Sequence, residues 1–215
     1  MPIHREGWPF IALFAGVNLI AMLIAPFLGW LLLPLTVWCI AFFRDPERMT
    51  PGAAGLIICP ADGRLLPVID AVPPEELGLG PFPRPRLSVF MNVFNVHVNR
   101  NPISGRVIGR AYRPGKFFNA SFDKASVHNE RMSLRLRPDG EESEKNDLAV
   151  VQIAGLVARR IVCDSVEGQE VQRGARFGII RFGSRVDVYL PSGCTIMAAP
   201  GSFVRAGETV LARFG

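Results

Sequence analysis

Apolar positions are spread unevenly along this chain. From Trp8 to Phe43 no side chain carries a charge, and the apolar residues run on without the alternation of a half-buried element. Such a run reads as a membrane segment. The stretch "LIAPFLGW" puts Pro26 and Gly29 at its middle, where a chain bends. Two short apolar helices are therefore predicted, at about 9–24 and 27–43, each just long enough to cross or dip into a bilayer. Two crossings return the chain to its starting side. A cleaved signal peptide needs a basic start, a single short apolar run and a small-residue cleavage site, and the pattern here is longer and lacks that site. The segment is expected to stay attached. A buried helical hairpin in a soluble core is the competing reading.

"DPERMTPGAAG" (45–55) reads as a linker, which divides the chain into a membrane-associating part, 1–50, and a second domain, 51–215. Beyond it the pattern becomes short strand-like runs between turn signals, among them "RLSVFMNVFNVHV", "RVIGRAY", "LAVVQIAG" and "RVDVYL". No amphipathic helix of comparable strength appears. The second domain is expected to be mainly β, a compact sandwich or barrel-like fold, with "PPEELGLGPFPRPR" as a long mobile loop. Two stretches repeat: "GQEVQRGARFGIIRFG" (168–183) and "GSFVRAGETVLARFG" (201–215) share G-x-x-V-x-x-G, an apolar strand and Arg-Phe-Gly. They read as two similar β-hairpins packed side by side, with turns like those of lipoyl and biotinyl carriers. The carrier lysine is absent from the intervening "SRVDVYLPSGCTIMAAP".

A length of 215 residues allows one ordinary domain plus an appendage. The net charge of +5 comes with arginines scattered through 84–86, 99–116 and 158–160, not massed in a tail. Beside an apolar hairpin, that distribution favours lipid phosphates and head groups over nucleic acid. The positive-inside tendency puts the basic domain on the cytoplasmic side of the cell membrane. Four cysteines without metal-like spacing suit a reduced compartment, and no metal site is expected.

The chemistry concentrates at Gly183-Ser184. A second Gly-Ser pair at 201–202 is explained by a turn, whereas this one lies between two apolar strand-like runs. Glycine leaves the preceding carbonyl unshielded, so a Ser184 hydroxyl activated by a base could attack the peptide bond before it and form an ester. Elimination and hydrolysis would then leave a pyruvoyl group, able to form a Schiff base with an amine and to accept electrons on loss of carbon dioxide. His4 precedes the hairpin, which leaves His97 and His128 as bases. His97 follows a strand and precedes Asn99, Arg100 and Asn101, and Asp62 in "CPADGRL" is placed to orient an imidazole. Both residue types also serve as ordinary structural histidine and turn former. His128 in "VHNERM" reads first as a turn residue and second as a reserve proton donor.

With these residues assembled, the chain resembles the phosphatidylserine decarboxylases, in their short bacterial and archaeal form. The resemblance rests on the apolar N-terminus, "FFRDPER", "CPADGRL", "FNVHVNRNP", "VHNERM", "ARRIVC", "RFGSRVDVYLP" and "VRAGETVLARFG". It implies a proenzyme that cuts itself between Gly183 and Ser184 into a β chain, 1–183, and an α chain, 184–215. These remain together as a heterodimer, with room for further oligomerisation. It also implies a pyruvoyl cofactor made from Ser184, a self-cleavage triad of Ser184, His97 and Asp62, and phosphatidylserine as substrate. Longer members carry Leu-Gly-Ser-Thr at the cut and a second histidine three residues before the triad one; here Phe182 and Arg185 flank the pair and Phe94 takes the histidine's place. Arg100, Arg113 and Lys116 are candidates for the substrate phosphate, because a buried phosphodiester needs a cation. The rival readings are a pyruvoyl decarboxylase for a small amino substrate, which has no use for the hairpin, and an uncut membrane-anchored lipoyl-like adaptor.

Overall fold

The computed structural model describes residues 2–117, 128–155, 160–181 and 184–215. Two helices come first, α1 (Trp8–Ile24) and α2 (Pro26–Phe42), separated by Ala25 in an extended conformation. Each starts with proline in its first turn, where the missing N–H costs nothing. Gly29 lets them approach closely, since a Cβ there would lie 2.8 Å from Met22. Asn18 Nδ2 donates to the Gly29 carbonyl across the pair at 2.9 Å. With a one-turn 3-10 start, the stretch Arg5–Ile24 reaches 20 residues and is long and apolar enough to cross a membrane. Leu23, Ile24, Phe27 and Trp30 are each more than half exposed, so this hairpin is not buried in a soluble core. Its ends are clasped: His4 N donates to the Phe43 carbonyl and Asp45 N to the Pro2 carbonyl, both at 2.9 Å.

The described residues then form fifteen strands: β1 (Leu56–Ile58), β2 (Gly63–Leu65), β3 (Ile69–Ala71), β4 (Arg84–Met91), β5 (Val98–Arg100), β6 (Gly105–Arg113), β7 (Arg131–Pro138), β8 (Leu148–Ala154), β9 (Ile161–Cys163), β10 (Glu170–Val171), β11 (Arg176–Ile180), β12 (Ser184–Tyr189), β13 (Thr195–Ile196), β14 (Phe203–Val204) and β15 (Val210–Arg213). A nine-stranded sheet runs β10-β6-β7-β8-β12-β4-β2-β14, with β3 beside β4, and two three-stranded sheets run β1-β15-β13 and β5-β11-β9. Every pairing in them is antiparallel. The fold is mostly β, as the strand-like runs imply.

Alternation gives the large sheet two distinct faces. One carries Val89, Met91, Val150, Leu134, Val186 and Val188 into the main core. On the other, Arg185 bonds Asp187 at 2.5 Å, and Arg131 bonds Glu76 at 2.8 Å. That second face is covered by the segment expected to be a mobile loop. It folds into a 3-10 turn, Glu75–Leu77, which buries Leu77 and Leu79 against Ala149, Val151 and Tyr189. Burial of these leucines and the Glu76 ion pair hold it down, and a composition-based reading of its prolines and glycines misses both.

The sequence repeat has a structural counterpart, but its units are not hairpins. In each, the short strand joins one end of the large sheet (β10, β14) while the longer strand becomes the centre of a small one (β11, β15). The partners repeat as well. "CPADG" (59–63) stands to the second unit as "NPISG" (101–105) does to the first: Val204 pairs with Gly63 and Val171 with Gly105. Gly207 N donates to the Cys59 carbonyl at 2.9 Å and Gly174 N to that of Asn101 at 2.8 Å. The halves cross reciprocally, Ile58 N to the Pro102 carbonyl and Arg100 N to the Pro60 carbonyl, both at 2.9 Å. Both motifs end in glycine because the next strand passes too close for a side chain. A Cβ would sit 2.1 Å from the Phe90 oxygen at Gly63 and 1.9 Å from the Arg137 oxygen at Gly105.

Candidate active site

Ser184 opens β12, the strand hydrogen-bonded on both sides, with Met91 of β4 and Ala154 of β8 as its register partners. Phe182 and Gly183 lie outside the described residues, so the expected cleavage bond is located from the Ser184 side. Directly opposed residues share a face, as do residues two apart, so Ser184 stands with Met91, Gln152 and Val186 on the core face. The side chain is fully buried, and among the described residues its Oγ has no hydrogen-bond partner. A buried hydroxyl left in that state costs about 1–3 kcal/mol, an expense a reactive group can justify.

His97 reaches the same end of the sheet by a short loop. Met91 ends β4 opposite Ser184, and residues 92–97 lead from it to β5. The loop is held from within, Asn92 N donating to Asn95 Oδ1 and Phe94 N to Asn92 Oδ1, both at 2.9 Å. It is also held by the hairpin, because Trp38 Nε1 donates to the Val93 carbonyl at 3.2 Å and Arg44 donates to the Phe94 carbonyl at 2.6 Å. Asn99, two residues after His97 in extended chain, has its Nδ2 3.8 Å from the Met91 sulfur and accepts from Gln152 Nε2 at 2.8 Å. Asn99 therefore reaches the side chains that flank Ser184, two residues after His97. Ile180 N, four residues before Ser184, donates to the His97 carbonyl at 3.4 Å.

The imidazole is fully buried and stacks on Phe42, ring centroids 4.1 Å apart. Its Nδ1 lies 2.9 Å from the Asn95 carbonyl oxygen, which can only accept, so Nδ1 carries the proton. Nε2 is then the basic nitrogen, and among the described residues it has no hydrogen-bond partner. Burial pushes the pKa down to about 4, and the charge of Arg44 acts in the same direction. Burial thus favours the neutral imidazole, with Nε2 as its acceptor atom.

Asp62 is employed differently from the sequence expectation that it orients the imidazole. One carboxylate oxygen accepts from Ala206 N and the other from Arg48, both at 2.7 Å, while the Asn95 carbonyl orients His97. Ser104, its counterpart in the other repeat, caps Arg173 N in the same manner at 3.0 Å. Among the phosphate candidates, Arg100 is buried, donating to the carbonyls of Gly174 at 2.8 Å and Pro46 at 2.9 Å and pairing with Asp45. That is structural employment, which leaves it no face for a ligand. Arg113 is exposed, but its register with Arg131 puts it on the opposite sheet face from Ser184. Lys116 is exposed nearer the site, its backbone bonded to His128 and Glu130 beside Asn129, whose Nδ2 donates to the Ala154 carbonyl at 2.7 Å. His128 is exposed on that same rim.

Sequence reasoning passed over the buried amides Asn99, Gln152 and Asn129, each at most 1% exposed. Gln152 gave a usable signal, a lone amide inside the otherwise apolar "LAVVQIA". Among the described residues its Oε1 has no partner, so this polar nest next to Ser184 holds an acceptor inside the core.

The family model described as phosphatidylserine decarboxylase matches residues 35–212. Three proteins named phosphatidylserine decarboxylase proenzyme are similar along nearly the whole length. That of Cereibacter sphaeroides is 58% identical, covering 98% of this chain and 89% of the relative. That of Paramagnetospirillum magneticum is 57% identical, covering 98% and 86%, and that of Ruegeria pomeroyi 56%, covering 98% and 94%. A fully buried serine at the head of a strand paired on both sides, a buried histidine on the loop that follows the neighbouring strand, and this extent of similarity agree: the chain belongs to the phosphatidylserine decarboxylase family.

Proposed function

We propose that this chain is a self-processing proenzyme that converts phosphatidylserine to phosphatidylethanolamine. The observation that carries this reading is that two buried groups, Ser184 Oγ and His97 Nε2, each lack a hydrogen-bond partner among the described residues, and that the strand ending opposite Ser184 leads by a short loop to His97. In the maturation step His97 Nε2 takes the hydroxyl proton as Ser184 Oγ attacks the Gly183 carbonyl carbon, then gives it to the nitrogen of residue 184 as the C–N bond breaks, which leaves an ester and a free amine. Elimination across Cα–Cβ of residue 184 releases Gly183 as a free carboxylate. Water then replaces the α-nitrogen, which leaves as ammonia. The products are chains 1–183 and 184–215.

The burial of Ser184 in a polar, water-poor nest fits a keto group formed in place, which supplies the electron sink for decarboxylation. Around it the chain's own residues exclude water and hold protons. Asn99 and Gln152 fix each other beside the β12 terminus, and the Asn95 carbonyl keeps the imidazole proton on Nδ1. Asp62, the acidic member that the family motif assigns to the triad, serves the site at one remove by holding Arg48 and the 205–207 turn. Lys116 is the cation of the original three that lies toward the Ser184 end.

Residues 1–50 hold the 51–215 domain on the cytoplasmic face of the membrane, so that the head group reaches the site while the acyl chains stay in lipid. Loss of the carboxylate turns an anionic lipid into a zwitterionic one, which a basic surface retains less tightly. Intact-mass analysis of the purified protein tests the reading. Two fragments are expected, the smaller starting at 184 with a pyruvoyl terminus, together with release of carbon dioxide from phosphatidylserine. A single stable chain of full mass would return the adaptor to consideration.

A further inference from the structure

The cation best placed for a lipid phosphate is one that sequence reasoning did not single out. Arg44 is the first charged residue after the uncharged stretch 8–43, so it emerges at head-group depth if the hairpin sits in a bilayer. Its guanidinium is half-buried and donates to two backbone carbonyls, Ala41 and Phe94, each at 2.6 Å. The first belongs to the end of α2 and the second to the loop that carries His97. Among the described residues these two contacts leave the remaining N–H groups of the five-donor fork uncommitted.

Neighbouring arginines differ in one respect. Arg5 pairs with Asp164, Arg181 with Glu6, Arg48 with Asp62 and Glu208, and Arg176 with Asp45 and Glu47. Among the described residues no carboxylate lies within ion-pairing reach of Arg44, although Asp62 is near enough to act on it through space. Burial pushes its pKa down, the mark of a cation partly stripped of water without a compensating partner. Phe94, whose carbonyl it holds, is 70% exposed, which gives the same spot an apolar edge for acyl or glycerol carbons.

We propose that Arg44 binds the phosphodiester of the substrate lipid and so sets the head group against His97 and Ser184. This rests on the decarboxylase reading above. The two carbonyl contacts aim the fork, and the phosphate takes the donors that face away from the protein.

Mature wild-type, Arg44→Gln and Arg44→Lys proteins, each checked for complete cleavage, are assayed on phosphatidylserine in mixed micelles. Arg44→Gln is expected to raise KM about tenfold with kcat within about twofold, and Arg44→Lys to fall between. Glycerophosphoserine should compete in the wild type, better than inorganic phosphate, and lose that competition in Arg44→Gln. An unchanged KM, or a loss confined to kcat, would make Arg44 a strut for the 92–97 loop and overturn the proposal. Inorganic phosphate competing as strongly as glycerophosphoserine would overturn the lipid assignment. Should Arg44→Gln fail to mature, glycerophosphoserine is titrated into the full-length Ser184→Ala chain with and without Arg44→Lys, and equal affinities overturn it. Failure of the underlying reading looks different, because the wild type itself would then release no carbon dioxide.

Discussion

The ring of His97 lies on the ring of Phe42, centroids 4.1 Å apart and tilted by 28°, so the last helical residue of the apolar hairpin is also a wall of the candidate active site. Trp38 and Arg44 make the same connection through the carbonyls of Val93 and Phe94. In this fold the apolar hairpin packs directly against the candidate base.

Phe42→Ala should therefore affect chemistry as well as stability. Removing a fully buried phenylalanine costs about 3–5 kcal/mol, and the space left admits water to the imidazole. The expected result is a lower melting temperature and an acid limb of self-cleavage that moves up toward the ordinary histidine value near 6.5. Phe42→Leu should fall between. The rate of precursor loss against pH, followed on denaturing gels, checks this.

In the wild type the depressed His97 pKa sets the direction of pH dependence. Between about pH 6.5 and pH 4 the unfolded chain binds a proton that the folded chain refuses, so stability falls as pH falls through that window. The contribution, present above pH 6.5, is about 3 kcal/mol and is lost on approaching pH 4. Self-cleavage should stay level from pH 7 down to about 5 and decline only near 4. A decline centred at 6.5 would mean that His97 is solvated or is not the base.

Ser184→Ala should give an uncut, inactive chain, since no other hydroxyl replaces the orphaned Oγ at the head of β12. Cleavage at this position in the variant would remove Ser184 as nucleophile. His97→Gln, similar in bulk, should slow maturation by about 10²-fold or more, the usual contribution of a general base. Normal maturation would assign the base elsewhere.

Asp62→Ser should melt closer to the wild type than Asp62→Ala does. A serine can still cap Ala206 N, as Ser104 caps Arg173 N in the other repeat, and the difference between the variants is expected to be about 1 kcal/mol. Both should mature slowly, because both release Arg48 from its carboxylate. If Asp62→Ser matured at the wild-type rate, the carboxylate would have no part in cleavage.

Cut chains should stay together until denatured. Six register pairs hold β12 to β4 and six hold it to β8, and β14 and β15 pair with β2 and β1 of the other fragment. Size exclusion in detergent is expected to show one species, with separation into two only in strong denaturant. Dissociation at neutral pH without denaturant would contradict this pairing.

Much of this was legible in the chain itself. An uncharged run broken at Pro26 can only be an apolar hairpin, and the helices Trp8–Ile24 and Pro26–Phe42 lie within a residue of the spans that the pattern predicts. Strand-like runs became strands, and Gly183-Ser184 stood out because a turn-like pair between two apolar runs has no ordinary purpose. These are local properties, set by which neighbours a residue has along the chain.

Tertiary structure decided what depends on partners far away in sequence. Arg100 was lost as a ligand because Asp45, Pro46 and Gly174 converge on it, and Asp62 was drawn from the imidazole to Arg48 and the Ala206 turn. The two repeats became strands of separate sheets because each half pairs with a "CPADG" or "NPISG" segment, not with itself. Arg44 stood out only once its neighbours proved to be paired. Sequence pattern says which side chains leave water, since that follows from their own chemistry; what each then meets is fixed by strand register and by the packing of the whole chain.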